Sequence, residues 1–263
     1  MATGALVSLF YLAVWQLGAL WIKQSVILPR PAAVFATLAE LALLPRFWLS
    51  AGWSLVRVLS GYAVAIALGS LLGVLSYASG ILRELVKPMM AIMRATPVAS
   101  FIIILLFFLK VNQVPAFASF LMVLPVVFLS VLDGLSQTDP RLLEMAELFR
   151  ISPWKKAVRI FLPATLPHAV TAALTSLGLA WKAGIAAEVL GSPAFSIGGA
   201  LRDSKASLDS ASLFAWTFVV VALSMLLEGS LRRVLNLAGR RLGAVGLQAG
   251  QEGRMDSERM DGR

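Results

Sequence analysis

Apolar runs of spanning length alternate with short charged stretches along most of this chain, and the alternation predicts a bundle of membrane-crossing helices. The first run is about Ala5–Ile22, with Trp15 and Trp21 placed as interfacial anchors. Residues 28–44 open on prolines and then turn amphipathic, which reads as a helix lying at the outer surface. The second span is about Val56–Tyr77, with Arg57 near one end, where its long stem can carry the charge to the interface. Gly61, Ala65, Gly69 and Gly73 recur in it at every fourth position, a small-residue stripe that lets another helix approach closely. Packing within the chain and a seam between two copies are both open for that stripe. Phe101–Leu109 is the core of a third span, too short alone for a hydrocarbon layer of about 30 Å. That span is therefore expected to begin near Met89 and bend at Pro97. Spans four, five and six are about Val114–Leu132, Ala169–Leu190 and Leu213–Leu227. Between the last two lies a polar outer loop, 191–210.

The longest polar interruption, 139–167, falls between the fourth and fifth spans and contains two short helices. Asp139 followed by Pro140 is an N-cap signal for the first. Leu142, Met145, Ala146 and Phe149 share one face of it, with Arg141, Glu144 and Glu147 elsewhere. Ser152–Pro153 repeats the signal for a second helix carrying Trp154, Lys155, Lys156 and Arg159, and Pro163 and Pro167 precede the next apolar run. A helix–turn–helix of this kind, held between two spans, is a docking surface for a soluble partner.

Composition agrees with the pattern. Of 263 residues 59% are hydrophobic and 14% charged, against about 25% charged in a soluble domain. The formal charge of +9 reads as basic span ends facing the cytoplasm, not as a nucleic-acid surface. Arg83, Lys87, Arg94, Arg232, Arg233, Arg240 and Arg241 favour both termini inside, while Lys23 after the first span argues the other way. The chain has no cysteine and one histidine, His168, so no His/Cys metal cluster is expected. No phosphate-cradling G-x-x-x-x-G-K-[ST] and no catalytic constellation occurs, so any ATPase must be another polypeptide. Ionisable groups inside a span are costly, which singles out Lys182 and Glu188; with Trp181 they are the candidates for a translocation path. Glu188 is also placeable at the outer interface.

Glu144, Ala146, Ile160, Leu162 and Pro163 fit the pattern E-A-A-x-x-x-G, a spacer, then I-x-L-P. With the flanking words G-L-A-W-K-A-G-I-A-A-E-V-L-G (Gly178–Gly191) and L-P-R-P-A-A-V-F-A-T-L (Leu28–Leu38), the chain resembles permease subunits of bacterial ABC importers, in the nitrate/sulfonate/taurine branch. Two positions depart: Met145 replaces an Ala, and Arg150 stands where the family has a Gly that permits a positive-φ turn. The resemblance implies an all-α membrane protein of the type I importer fold, with six transmembrane helices and a cytoplasmic coupling loop between helices 4 and 5. It divides the chain into 1–48 (first helix and outer segment), 49–236 (permease core, coupling loop 139–167) and 237–263 (a disordered cytoplasmic tail). It implies cytoplasmic ATPase subunits that bind ATP and magnesium, a second permease subunit, an extracytoplasmic substrate-binding protein, and the inner membrane of a prokaryote. In this picture Glu144 and Ala146 seat the first coupling helix. Phe149, Arg150, Ile151 and Pro153 lie at its tip, and Leu162 and Pro163 hand movement to the fifth span. A stand-alone carrier driven by an ion gradient is the alternative, and an ATPase that co-purifies separates the two.

Overall fold

The computed structural model describes residues 2–261, and their regular structure is helical. In chain order the helices are α1 (Ala2–Ile22), α2 (Pro31–Ala42), α3 (Pro45–Ala78), α4 (Gly80–Ala95), α5 (Val98–Phe108) and α6 (Val114–Ser136). There follow α7 (Pro140–Leu148), α8 (Pro153–Lys156), a π-helical turn at Ala157–Phe161, α9 (Leu162–Gly191), α10 (Ile197–Ala206) and α11 (Ser210–Asp261). Among the described residues four stretches are long and apolar enough to cross a membrane: Pro45–Ala78, Val114–Ser136, Pro153–Gly191 and Ser210–Leu235. The bent pair α4–α5 makes a fifth if it counts as one span.

The chain divides into a compact unit through Ser224 and a second unit from Met225 on, which is the continuation of α11. In the first unit α6 packs along both α3 and α9. Gly61, Ala65, Gly69 and Gly73 are all buried, and α6 meets the stripe. Hydroxyls pin the same three helices: Ser119 Oγ donates to the Ala180 carbonyl at 2.9 Å, and Tyr62 Oη to the Ala173 carbonyl at 2.8 Å. Trp15 stacks on Phe214 and Phe218, and its indole N–H donates to the Pro29 carbonyl. Those contacts gather α1, the start of α2 and the start of α11.

Two expectations change. The third span is not one helix kinked at Pro97: α4 and α5 are separate helices that meet at 105°. Thr96 is extended (φ −81, ψ 130) as a residue before proline must be, and its N–H and hydroxyl both donate to the Ile92 carbonyl, ending α4. The eleven residues of α5 are only about 16 Å long. The polar stretch 191–210 is not a loop throughout, because α10 occupies its middle, capped by Ser196 Oγ accepting from Gly199 N–H at 3.0 Å. Asp209 then caps α11, and the hydrogen bonds from Ser212 hold its carboxyl below the usual carboxylate range. Helical backbone runs on from α11 to Asp261. No proline follows Pro193, and Leu, Ala, Gln, Glu, Arg and Met favour helix. The side chains beyond Leu237 lie outside the described residues.

Candidate functional site

The elbow between α6 and α9 is built by its caps. Asp139 accepts from the Arg141 N–H at 2.9 Å with Pro140 at the first helical position, as the sequence predicts. At the other end of α7 the Ile151 N–H donates to the Ala146 carbonyl (2.9 Å) and the Arg150 N–H to the Glu147 carbonyl (3.0 Å). This paired 6→1 and 5→2 arrangement needs a left-handed residue between the two helices, and Arg150 supplies it at φ 49. The turn that glycine makes elsewhere in the family pattern is thus kept, at a strain of about 1 kcal/mol for a residue with a Cβ. Arg150→Gly is accordingly expected to leave the elbow's shape unchanged and to raise the melting temperature slightly. Scanning calorimetry of the purified chain checks this, and a lower melting temperature would show that Arg150 makes a compensating contact.

Chain direction is then restored by α8 and the π-helical turn. Ser152 sits at the N-cap of α8 without a side-chain cap bond, and Lys156 Nζ lies 3.6 Å from Glu147 Oε1. The Leu162 N–H reaches back five residues to the Ala157 carbonyl. Pro163 and Pro167 bring no N–H to the turns that follow, so the widened turn sits where the helix ladder is weakest. The Phe161 ring meets Tyr77 at 5.4 Å, tying this turn to the last residues of α3.

Of the face predicted for α7 only Ala146 is buried; Leu142, Met145 and Phe149 are exposed, as are Glu144, Arg150, Pro153, Leu162 and Pro163, while Ile151 is half-buried. The tip therefore displays an apolar patch: Leu148 is 81% exposed, Phe149 71% and Trp154 77%.

The three candidates on α9 separate. Trp181 is buried and donates its indole N–H to the Val220 carbonyl of α11 at 3.0 Å. Glu188 is 0% exposed. Its Oε2 accepts from Ser54 Oγ at 2.7 Å and from the Gly198 N–H at 3.1 Å, and its Oε1 from Arg57 Nη1 at 3.2 Å. Arg57 also donates to the Phe195 and Ala194 carbonyls, and its guanidinium lies 5.9 Å from the Trp53 ring centroid. Arg57 turns inward to Glu188 and does not extend away from the bundle. A Cβ on Gly198 would lie 2.4 Å from Glu188 Cβ, so only glycine lets this N–H reach the carboxylate. The cluster joins α3, α9 and α10 at the end of the bundle opposite the elbow. Sequence reasoning missed Ser54, Gly198 and the pairing itself; the available signal was one arginine and one glutamate, each inside an apolar run. Lys182, by contrast, is exposed, and among the described residues no carboxylate or carbonyl pairs with it. A lysine facing acyl chains at this depth costs about 3 kcal/mol.

Among the described residues no cluster of His, Asp and Glu is placed to hold a metal ion. Relatives fit this geometry. A Bacillus subtilis permease named for aliphatic sulfonates transport, SsuC, is 24% identical over 233 residues, covering 87% of this chain and 83% of its own. The bicarbonate transport system permease protein CmpB of Synechocystis sp. is 28% identical over 183 residues, 69% of this chain and 65% of its own. The nitrate import permease protein NrtB of Synechococcus elongatus is 27% identical over 191 residues, 68% of each. In fold the chain is similar to an amino acid ABC transporter (TM-score 0.62, 14% identity, 78% of this chain and 97% of the other). It is also similar to the inward-facing MetNI methionine ABC transporter (TM-score 0.58, 18% identity, 72% and 92%). Residues 65–237, more than half of the chain, match one family throughout. This protein belongs to the binding-protein-dependent transport system inner membrane components.

Proposed function

We propose that this chain is the membrane subunit of an ATP-driven importer for a small anion, gripped by a separate ATPase at the α7–α8 elbow. The observation that carries the proposal is the exposed apolar tip, Leu148, Phe149 and Trp154, on an elbow held rigid by its own hydrogen bonds. A rigid knob with uncovered aromatic side chains seats in a partner's groove and transmits that partner's movement. ATP and magnesium sit on the partner, whose closure moves α7 and α8; the π-helical turn and Pro163 pass the motion to α9. Family membership supports a binding protein on the outer side and a second permease subunit completing the path. The anion class follows the names of the relatives, which carry sulfonates, bicarbonate and nitrate. In this reading α1, the bent α4–α5 pair, α3, α6, α9 and α11 are the six crossings, with the elbow and both termini cytoplasmic.

The elbow is testable directly. Burying one large apolar side chain at an interface is worth about 2 kcal/mol, so Phe149→Ala and Trp154→Ala should each weaken ATPase association about 30-fold. Membrane insertion should be untouched, because neither side chain packs within this chain. Co-purification of the ATPase with each variant, read beside solute-stimulated ATP hydrolysis, checks the expectation. Undiminished association with both variants would remove the elbow as the docking site.

A further inference from the structure

We propose that Thr175 and Lys182 line a water-filled path on the exposed face of α9, and that Lys182 selects small anions there by charge. The inference deepens the importer reading and rests on it.

The placement is the first observation. Pro167, Thr171, Thr175 and Lys182 are all exposed, and at 100° per residue they fall within one narrow strip of α9, with Gly178 between them. The opposite side of the same helix buries Ser176, Ala180, Gly184 and Ala187. Exposed positions on α3 are mostly apolar, among them Val56, Val64, Leu71 and Val74, with Ser60 the hydroxyl in the same stretch. A strip made of threonines and a lysine is suited to water.

Partnering is the second observation. The Thr171 hydroxyl is satisfied by its own helix, donating to the Pro167 carbonyl at 2.9 Å. Among the described residues neither Thr175 Oγ1 nor Lys182 Nζ has a protein partner, so both keep their donors for something outside the chain. Depth is the third. Lys182 lies about 13 Å before the end of α9 at Gly191, farther than a lysine stem reaches to an interface. A donor-only ammonium and a free hydroxyl two turns away offer what an oxyanion requires, opposite charge and several hydrogen bonds. The exposed strip has no facing wall within one chain, so a second copy has to close it.

The chain has no cysteine, which makes single-cysteine labelling clean. Thr175→Cys and Lys182→Cys, with Val64→Cys as a lipid-facing control, are expressed with the full transport complex. Intact membranes are then treated with anionic sulfonatoethyl or cationic trimethylammonioethyl methanethiosulfonate, and labelling after denaturation gives the total. Both path positions should react with the hydrophilic reagents while Val64→Cys stays protected. At Thr175→Cys the anionic-to-cationic rate ratio should fall about tenfold when Lys182→Gln is added and should persist with Lys182→Arg. Protection of both path positions would place the strip against lipid and overturn the proposal. A ratio unmoved by Lys182→Gln, or lowered equally by Lys182→Arg, would overturn selection by charge. Co-purification of the ATPase is scored on the same membranes: labelling without an ATPase would defeat the importer reading alone, and an ATPase without labelling would defeat this inference alone.

Discussion

Glu188→Ala should destabilise the folded chain by about 3–5 kcal/mol, the largest single effect expected from a change of one side chain. The carboxylate is enclosed and receives hydrogen bonds from Arg57, Ser54 and the Gly198 N–H. Its removal leaves a buried guanidinium with only neutral acceptors, the Ala194 and Phe195 carbonyls and Asn112 Oδ1. It also leaves the Gly198 N–H without an acceptor, and a buried donor without a partner adds to the loss. Because the cluster holds α3, α9 and α10 together, the variant should unfold at a lower temperature and expose the α9–α10 turn to protease first. The test that isolates the pair is a double-mutant cycle. Arg57→Met, Glu188→Leu and the double variant are compared by thermal unfolding in detergent, and the double variant should be more stable than either single one. Single variants as stable as the parent chain would show that the pair holds nothing.

Gly61→Ala is the second, at about 3 kcal/mol. A Cβ there would lie 1.9 Å from the Ala116 carbonyl oxygen and 2.7 Å from its carbon, so α3 and α6 must separate. Alanine's better helix propensity returns at most about 1 kcal/mol. The same substitution at Gly69 or Gly73 meets the Val127 and Val131 Cβ atoms at 3.0 Å and the Leu124 and Phe128 carbonyl oxygens at 3.1 Å, so there α6 has to give by only a few tenths of an ångström. The expected order of melting temperatures is therefore Gly61→Ala far below Gly69→Ala and Gly73→Ala, which lose less. Equal losses at all three positions would mean that the close approach at Ala116 is not what limits the helix pair. That graded series also bears on the stripe's role, since a seam between copies would shift the oligomeric state and leave the melting order flat.

Much of this was legible along the chain because it depends on neighbours a few residues apart. Hydropathy over about twenty residues found α3, α6, α9 and α11, since a helix in hydrocarbon must be apolar along its own length. Cap chemistry found Asp139 and Pro140, and the glycine-like position of Arg150 pointed to a left-handed turn, because caps and turns are settled within five residues. The break at Pro97 was half legible: proline announces an interruption, but whether the helix kinks or stops depends on what caps it, and Thr96 caps it.

The remainder needed three dimensions. Arg57 and Glu188 stand 131 residues apart, and no local pattern says that they meet. Lys182 and Glu188 look alike in the sequence, two ionisable groups in one apolar run, yet packing encloses one and leaves the other open. The sequence by itself determined four segments long and apolar enough to cross a membrane and where the chain turns after α7, since both follow from short-range hydrophobicity and backbone sterics. Only the tertiary structure decided which charge is fastened inside and which faces outward, because that depends on the angle at which α9 meets α3 and α6.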